Sequence, residues 1–155
     1  MHSPPLYATR QSGDAGQAPL TGNTTLKRSK PLIAIVDDDV EVCRSMERLV
    51  AAFGLQAYTF TSGEDFLDLL NTTSSFKPDC VILDVQMPGM NGLTVQLQLG
   101  RARPGTPVIF VSGSLDRRVS EEAQAAGAIV FFHKPFAAEA LIAALRIALA
   151  PRWIT

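Results

Sequence analysis

Residues 32–39, LIAIVDDD, decide the fold, because five apolar residues in a row are followed at once by three aspartates. A short, uninterrupted apolar run is typical of a strand that is buried on both faces of a parallel sheet. Apolar residues then recur at helical spacing from Val42 to Phe53, and Gly54 follows as a helix stop. The stretch therefore predicts a strand followed by a helix, the unit from which parallel sheets are built.

The same alternation of strand and helix continues along the chain. Further strands are predicted over residues 55–60, 80–83, 107–111 and 129–132, and further helices over residues 62–70, 93–99, 115–126 and 137–149. Five such units predict an α/β fold, a flavodoxin-like doubly wound five-stranded parallel sheet with strand order 2-1-3-4-5 and five helices. In that order, ligands bind where the order reverses, at the carboxyl ends of strands 1 and 3. We expect the functional site there.

The residues outside this pattern are predicted to be tails. Residues 1–30 follow neither a strand nor a helix period, so we expect a flexible N-terminal tail, a domain over residues 31–150 and a C-terminal tail over residues 151–155. The N-terminal tail contains four basic and one acidic side chain, and the ten basic and fourteen acidic side chains that remain make the rest of the chain acidic. This balance does not favour binding to nucleic acid or to an anionic membrane through bulk electrostatics.

The two cysteines and the hydropathy pattern indicate in which cell compartment the protein is expected. Cys43 and Cys80 lie in apolar segments without a Cys or His at metal-ligand spacing, which predicts buried, reduced thiols. No apolar stretch approaches the roughly 18 residues that span a bilayer, and the first residues do not resemble a secretion signal. We therefore expect a cytoplasmic protein with no membrane contact.

Polar side chains follow four of the five predicted strands. Asp37 and Asp38 follow strand 1, Asp84 follows strand 3, Ser112 follows strand 4, and Lys134 follows strand 5. Because the carboxyl ends of parallel strands meet at one edge of a sheet, we expect these side chains to converge. A cluster of oxygen ligands suits Mg²⁺, and the lack of imidazole and thiolate groups in the cluster disfavours zinc.

The charges of this cluster suit phosphoryl transfer. Three carboxylates are balanced by one Mg²⁺ and the Lys134 ammonium, so the site can accept a dianionic phosphoryl group. One carboxylate would attack phosphorus, and the Ser112 hydroxyl would donate to an equatorial oxygen. Asp39 is assigned a structural role instead, as the cap of the first helix. The sequence thus predicts a site that forms an aspartyl phosphate.

The motifs resemble those of the receiver domain of two-component response regulators. The matching segments are residues 35–39 (IVDDD), 84–92 (DVQMPGMNG), 111–113 (VSG) and 133–136 (HKPF). The resemblance covers roughly residues 31–150 and implies that Asp84 is the phosphorylated residue. It further implies that Mg²⁺ is bound by Asp37, Asp38, Asp84 and the backbone carbonyl of Gln86.

The same resemblance implies roles for residues on the last two strands. Ser112 and Lys134 would contact the phosphoryl group, and the peptide bond between Lys134 and Pro135 would be cis. A switch is also implied, in which Ser112 moves toward the phosphoryl group and Phe131 turns inward to fill the vacated space. The alternative for Phe131 is an ordinary core residue of strand 5.

The resemblance also implies partners. Receivers accept a phosphoryl group from a sensor histidine kinase or a phosphotransfer protein, and they catalyse their own phosphorylation and dephosphorylation. The face formed by helix 4, strand 5 and helix 5 would bind a downstream protein or a second copy of the chain. Although the motifs look most like receivers that precede a LuxR-type helix-turn-helix, only six residues follow Leu149. We therefore expect signalling through protein contacts, without direct nucleic-acid binding by this chain.

Three alternatives stay open at this point. The chain could be the receiver part of a longer DNA-binding transcriptional regulator, or a phosphate sink without output. A third alternative is a Mg²⁺-dependent phosphohydrolase of α/β fold acting through Asp84. Such an enzyme would use an acid two positions after its nucleophile, and Gln86 stands there instead.

Overall fold

The computed structural model describes residues 30–150. The tails predicted over residues 1–30 and 151–155 lie outside the described residues, apart from Lys30. Strands and helices alternate throughout the described part, as β1 (Leu32–Val36), α1 (Val40–Ala52), β2 (Gln56–Phe60), α2 (Gly63–Thr72), β3 (Cys80–Asp84), α3 (Gly92–Ala102), β4 (Val108–Ser112), α4 (Arg117–Ala125), β5 (Val130–His133) and α5 (Ala138–Leu149). None of these helices is both long enough and apolar enough to cross a membrane.

The strands form one parallel sheet in the order β2-β1-β3-β4-β5, which confirms the predicted topology. The register aligns the carboxyl ends of the three central strands. Val36 pairs with Leu83, and Asp84 pairs with Val111. The residues that follow β1 therefore lie beside the end of β3, and Ser112 at the end of β4 lies beside His133 of β5.

The central strands are buried on both faces, which explains their uninterrupted apolar sequences. All five residues of β3 and of β4 are buried, as are the last four residues of β1. On one face they pack with α1 and α5, whose buried residues include Met46, Val50 and Leu145. Such burial supplies the main free energy of folding, at about 25 cal/mol per Å² of apolar surface.

The two cysteines are buried and free, as predicted. Burial raises the pKa of both the Cys43 and the Cys80 thiol to about 12, so both stay protonated and unreactive at neutral pH. The Cys43 Sγ lies 3.2 Å from the carbonyl oxygen of Asp37, to which the thiol donates. This contact places the first helix directly against the end of β1.

The predicted cap of α1 is confirmed, and α2 is capped in the same way. The Asp39 carboxylate accepts hydrogen bonds from the backbone N–H groups of Glu41 and Val42, and the Ser62 hydroxyl accepts one from Asp65. Both caps satisfy N–H groups that have no partner within the helix.

Helix α3 is longer than predicted, since it runs from Gly92 to Ala102 rather than from residue 93 to residue 99. The Arg103 guanidinium follows the helix and donates to the backbone carbonyls of Leu70 and Phe76, at 3.2 and 3.3 Å. These partners lie far away in sequence, so local spacing could not indicate them. Arg103 thereby joins the end of α3 to the end of α2 and to the loop that leads into β3.

Candidate functional site

Three carboxylates meet at the carboxyl edge of the sheet. Asp37 and Asp38 directly follow β1, and Asp84 ends β3. One oxygen atom from each lies within 4.8 Å of the others. Asp37 and Asp84 are buried, with only 1% and 4% of their surface exposed, whereas Asp38 is exposed. The structure thus brings together the three carboxylates that the sequence predicted to converge.

Lys134 lies between two of these carboxylates. Its Nζ donates to the Asp37 Oδ2 at 2.8 Å and lies 3.7 Å from the Asp84 Oδ2. The backbone N–H of Lys134 donates to the Ser112 carbonyl at 2.8 Å, which fixes the start of the loop after β5. The peptide bond between Lys134 and Pro135 is cis, as the resemblance implied.

Burial and charge raise the pKa of Asp84 from 3.8 to about 7. Loss of hydration is the largest cause, and the negative charge of Asp37 is the next. The Lys134 ammonium and a hydrogen bond from the Gln86 backbone act in the opposite direction without cancelling the increase. Burial also tends to lower the pKa of Lys134, but its hydrogen bond and charge contacts with the aspartates raise it overall. Lys134 therefore remains a cation at neutral pH.

The donor set fits a small divalent cation. Three carboxylates that lie close together repel one another, and the single Lys134 ammonium is not enough to keep the Asp84 pKa low. A second positive charge would remove this repulsion. Carboxylate oxygens at an edge open to water through Asp38 are the ligands that Mg²⁺ prefers, because it retains several waters when bound to protein.

The loop after Asp84 wraps closely around it. The Gln86 side chain is exposed, and the backbone of Gln86 contacts the Asp84 carboxylate. The N–H of Gly92 donates to the Val85 carbonyl at 2.7 Å, and a Cβ at Gly92 would overlap the Asp84 carbonyl oxygen. Gly92 is thus part of the site, although sequence reasoning did not assign it a role. The signal for such a close backbone approach was a glycine directly after the helix cap Asn91.

Ser112 and Phe131, the two predicted switch residues, lie in different environments. Ser112 is fully buried, and its Oγ accepts a hydrogen bond from the Ser114 backbone at 3.0 Å. Phe131 is only partly buried, and its ring lies edge-on to that of His133 with centroids 5.1 Å apart. Val130 and Phe132 pack against the core under α1 and α5, so Phe131 points to the opposite face of β5. Their roles in a switch stay predictions.

The sequence of this chain matches a known protein family over most of the described residues. The family model that describes the response regulator receiver domain matches residues 33–146. The chain belongs to the response regulator receiver family. The five-stranded order β2-β1-β3-β4-β5 and its five helices are those of the solved receiver domains.

Individual receivers and regulators resemble this chain over most of its length. It is 41% identical to the response regulator protein TmoT of Ectopseudomonas mendocina over 128 residues, which make up 83% of this chain and 57% of TmoT. The DNA-binding transcriptional regulator NtrC of Klebsiella pneumoniae is 37% identical to this chain over 102 residues. These residues make up 66% of this chain and 21% of NtrC. A response regulator receiver protein from Burkholderia phymatum, known from its crystal structure, is 48% identical to this chain. The match covers 77% of this chain and 95% of that protein's chain, and the two structures superpose with a TM-score of 0.71.

Both of these relatives are longer than this chain. TmoT is named a response regulator protein, and NtrC is named a DNA-binding transcriptional regulator. The chain spans little more than half the length of TmoT and about a fifth of that of NtrC. In both comparisons, this chain matches only part of the relative.

Proposed function

We propose that this receiver accepts a phosphoryl group on Asp84 and signals through a change in protein contacts. The observation that carries the proposal is the arrangement of three carboxylate oxygens within 4.8 Å of one another, with the Lys134 ammonium 2.8 Å from Asp37 and 3.7 Å from Asp84. The donor would be the phosphohistidine of a sensor kinase or of a phosphotransfer protein, with which receivers interact.

The side chains of this chain divide the transfer between them. An oxygen of the Asp84 carboxylate attacks phosphorus and forms an acyl phosphate, while the phosphorus–nitrogen bond of the donor breaks and its imidazole leaves. The Lys134 ammonium faces the charge that spreads over the phosphoryl oxygens, and the Ser112 hydroxyl donates to one of them. Burial of Asp84 excludes bulk water, which strengthens both interactions.

Asp37, Asp38, Asp84 and the Gln86 carbonyl would hold Mg²⁺ in this proposal. When bound, the cation neutralises carboxylate repulsion and part of the phosphoryl charge. Support comes from the oxygen-only donor set, and from the burial and the neighbouring Asp37 charge that together raise the pKa of Asp84.

The output that we propose is binding of a downstream protein or a second copy of the chain through the surface of α4, β5 and α5. Phe131 lies on this side of β5, where a change at Ser112 would reach it. The alternative output is DNA binding by a longer regulator of which this is the receiver. This alternative is supported by the greater length of TmoT and NtrC. A phosphate sink would show phosphorylation without either output.

The first experiment tests the acceptor. The chain is incubated with acetyl phosphate and Mg²⁺, and its intact mass is measured before and after hydroxylamine, which cleaves acyl phosphates. We expect a labile phosphoryl adduct on the unaltered chain and on Asp65→Asn, an exposed control, but none on Asp84→Asn or in excess EDTA. A labile adduct on Asp84→Asn would refute the assignment of the acceptor.

A second experiment tests the output. Beryllofluoride mimics the phosphoryl group on an aspartate, so its addition should change the proteins retained by the immobilised chain or its own sedimentation. Loss of this change in Phe131→Ala, with adduct formation intact, would support the proposed role of Phe131. An unchanged set of partners with and without beryllofluoride would favour the phosphate sink.

A further inference from the structure

The first turn of α2 packs against the loop over residues 85–91, which we call the β3–α3 loop, and against the start of α3. Gly63, the first residue of α2, is buried at this contact. A Cβ at Gly63 would overlap the Cγ2 of Val95 in α3. The same Cβ would lie 3.6 Å from the Met90 carbonyl oxygen and 3.8 Å from the Met87 Cε. The missing side chain therefore allows α2 to approach both the loop and the helix that follows it.

Gly63 is needed for space and not for an unusual backbone conformation. It lies within a helix, and its φ angle is outside the left-handed region, so alanine could adopt the same backbone. Alanine in fact favours a helix more than glycine does. The obstacle is Val95, which is fully buried and β-branched, so its methyl groups cannot easily rotate away. A substitution at Gly63 thus isolates the effect of crowding at this one contact.

Val95 is connected to the site through the first turn of α3. It lies three residues after Gly92, on the same side of the helix. The Gly92 N–H donates to the Val85 carbonyl at 2.7 Å, and a Cβ at Gly92 would overlap the Asp84 carbonyl oxygen. The first turn of α3 is therefore confined on two sides, by the start of α2 and by the end of β3. A displacement of Val95 would move the helix turn to which the β3–α3 loop is attached.

The β3–α3 loop contains the peptide group that faces the Asp84 carboxylate. The Val85 N–H donates to the Val111 carbonyl at 3.0 Å, which fixes the start of the loop to the sheet. The next N–H, that of Gln86, donates to the Asp84 carboxylate. The side chain of Met87 is buried and ends beside α2. The position of the Gln86 backbone is therefore set by contacts on both sides of it.

We infer that Gly63 is a positioning residue for the metal site. By leaving room for Val95, it places the first turn of α3 and the β3–α3 loop so that the Gln86 carbonyl can reach Mg²⁺. The inference rests on the proposed function, in which this carbonyl is a metal ligand. Gly63 acts through its neighbours, because its contacts are with the loop and with α3 rather than with the ion.

The size of the effect follows from how residues that orient metal ligands behave. Their replacement weakens metal binding by about 10- to 100-fold, and here one of four protein ligands is displaced. Gly63→Ala should therefore weaken Mg²⁺ binding about tenfold. Val95→Ala removes the methyl group that a Cβ at Gly63 would overlap, so it provides the missing space. In the Val95→Ala background, Gly63→Ala should change the Mg²⁺ affinity by less than about twofold, as expected when two residues act through one contact.

The test measures two quantities by NMR in the full chain. A Mg²⁺ titration gives the metal affinity, and solvent exchange of the Gln86 amide without metal reports on the loop itself. We expect weaker binding and faster exchange in Gly63→Ala. Gly100→Ala is the matched control on α3, because its Cβ would lie in open space, and it should change neither quantity. Ile33→Val, in the core near the amino end of β1, should lower stability without changing either quantity.

The outcomes separate the inference from the function on which it rests. If the unaltered chain binds no Mg²⁺, or if Asp84→Asn binds it equally tightly, the proposed function is wrong and the inference falls with it. If the unaltered chain binds Mg²⁺ and Gly63→Ala leaves either quantity unchanged, the inference alone is overturned. An equal loss of affinity with and without Val95→Ala would also overturn it, because the effect would not pass through Val95.

A second variant keeps the test decisive should Gly63→Ala fold poorly. Val95→Ala alone loosens the same contact from the side of α3, so exchange of the Gln86 amide should become faster than in the unaltered chain. An unchanged exchange rate in Val95→Ala would overturn the inference.

Discussion

Replacement of Asp84 by asparagine should stabilise the metal-free receiver at neutral and alkaline pH. The carboxylate is buried beside Asp37, and this environment raises its pKa from 3.8 to about 7. Folding at pH 8 must therefore place a negative charge where hydration is lost and another negative charge is near. Asparagine has almost the same shape and retains an acceptor for the Gln86 backbone, but it carries no charge.

The pH dependence follows from these pKa values. A carboxyl group whose pKa is raised on folding contributes its full stability at pH values below its unfolded pKa, here 3.8. That contribution is lost as the pH rises through the folded pKa of about 7. Relative to the unfolded chain, the raised pKa of Asp84 then costs the folded state about 4 kcal/mol at pH 8, where the carboxylate is ionised, and about 2 kcal/mol at pH 5, where it is mostly protonated. Desolvation of the asparagine amide offsets part of the gain at every pH. The advantage of Asp84→Asn should therefore shrink by about 2–3 kcal/mol between pH 8 and pH 5.

Urea unfolding followed by circular dichroism, in EDTA at both pH values, measures this difference. Asp65→Asn, on the exposed side of α2, should stay within about 0.5 kcal/mol of the unaltered chain at either pH. Addition of Mg²⁺ should stabilise the unaltered chain more than Asp84→Asn, because the variant lacks one carboxylate ligand. The reasoning would be refuted by an Asp84→Asn variant that is no more stable than the unaltered chain at pH 8, or by an advantage that does not change with pH.

Three further changes test other parts of the structure. Mg²⁺ affinity measured by calorimetry should weaken roughly tenfold from pH 8 to pH 6, because protons compete for Asp84 with its pKa of about 7, and a constant affinity would exclude Asp84 as a ligand. Gly92→Ala should lower the free energy of unfolding by about 2 kcal/mol and weaken Mg²⁺ binding, because its Cβ would overlap the Asp84 carbonyl. Gly100→Ala, in open space on the same helix, should instead be neutral or stabilising in the same urea titration. Arg103→Met should cost about 1–3 kcal/mol in urea unfolding, because two backbone carbonyls lose their donor, and an unchanged midpoint would show that water replaces it.

The order of the sheet could be predicted because it depends on patterns that are local in sequence. Each strand of this receiver is a continuous apolar run, and a parallel arrangement of five such units has few solutions. The carboxylates converge for the same reason, since a residue at the end of a strand must lie at the edge of the sheet. Asp37, Asp84 and Lys134 thus meet although 97 residues separate the first from the last.

Features that depend on distant partners could not be predicted in the same way. The contacts of Arg103 are the example, because its acceptors lie 27 and 33 residues away. The end of α3, placed too early at residue 99, had a local signal, because Pro104 disfavours helical backbone at Arg103. The start of α4 was also placed wrongly, at residue 115 instead of Arg117, although here no distant partner is involved. The Ser112, Ser114 and Asp116 side chains each accept from the backbone N–H two residues further on and hold the loop before the helix in turns. That pattern is local, and alternate short polar residues before a helix are its signal.

The unequal contacts of Lys134 suggest how one cation can serve two purposes at the site. Its hydrogen bond at 2.8 Å is to Asp37, whereas Asp84 lies 3.7 Å away and receives mainly a charge interaction. Had the short bond been to Asp84, phosphorylation would require that bond to break, and the attacking oxygen would be less nucleophilic. Because Asp37 holds the ammonium instead, Asp84 keeps a free oxygen while the positive charge remains close enough to meet a phosphoryl group. Burial removes hydration from the Asp84 carboxylate, and the nearby Lys134 charge does not make up for that loss. A buried carboxylate with a free oxygen therefore gains stability when it acquires a metal or a phosphoryl group.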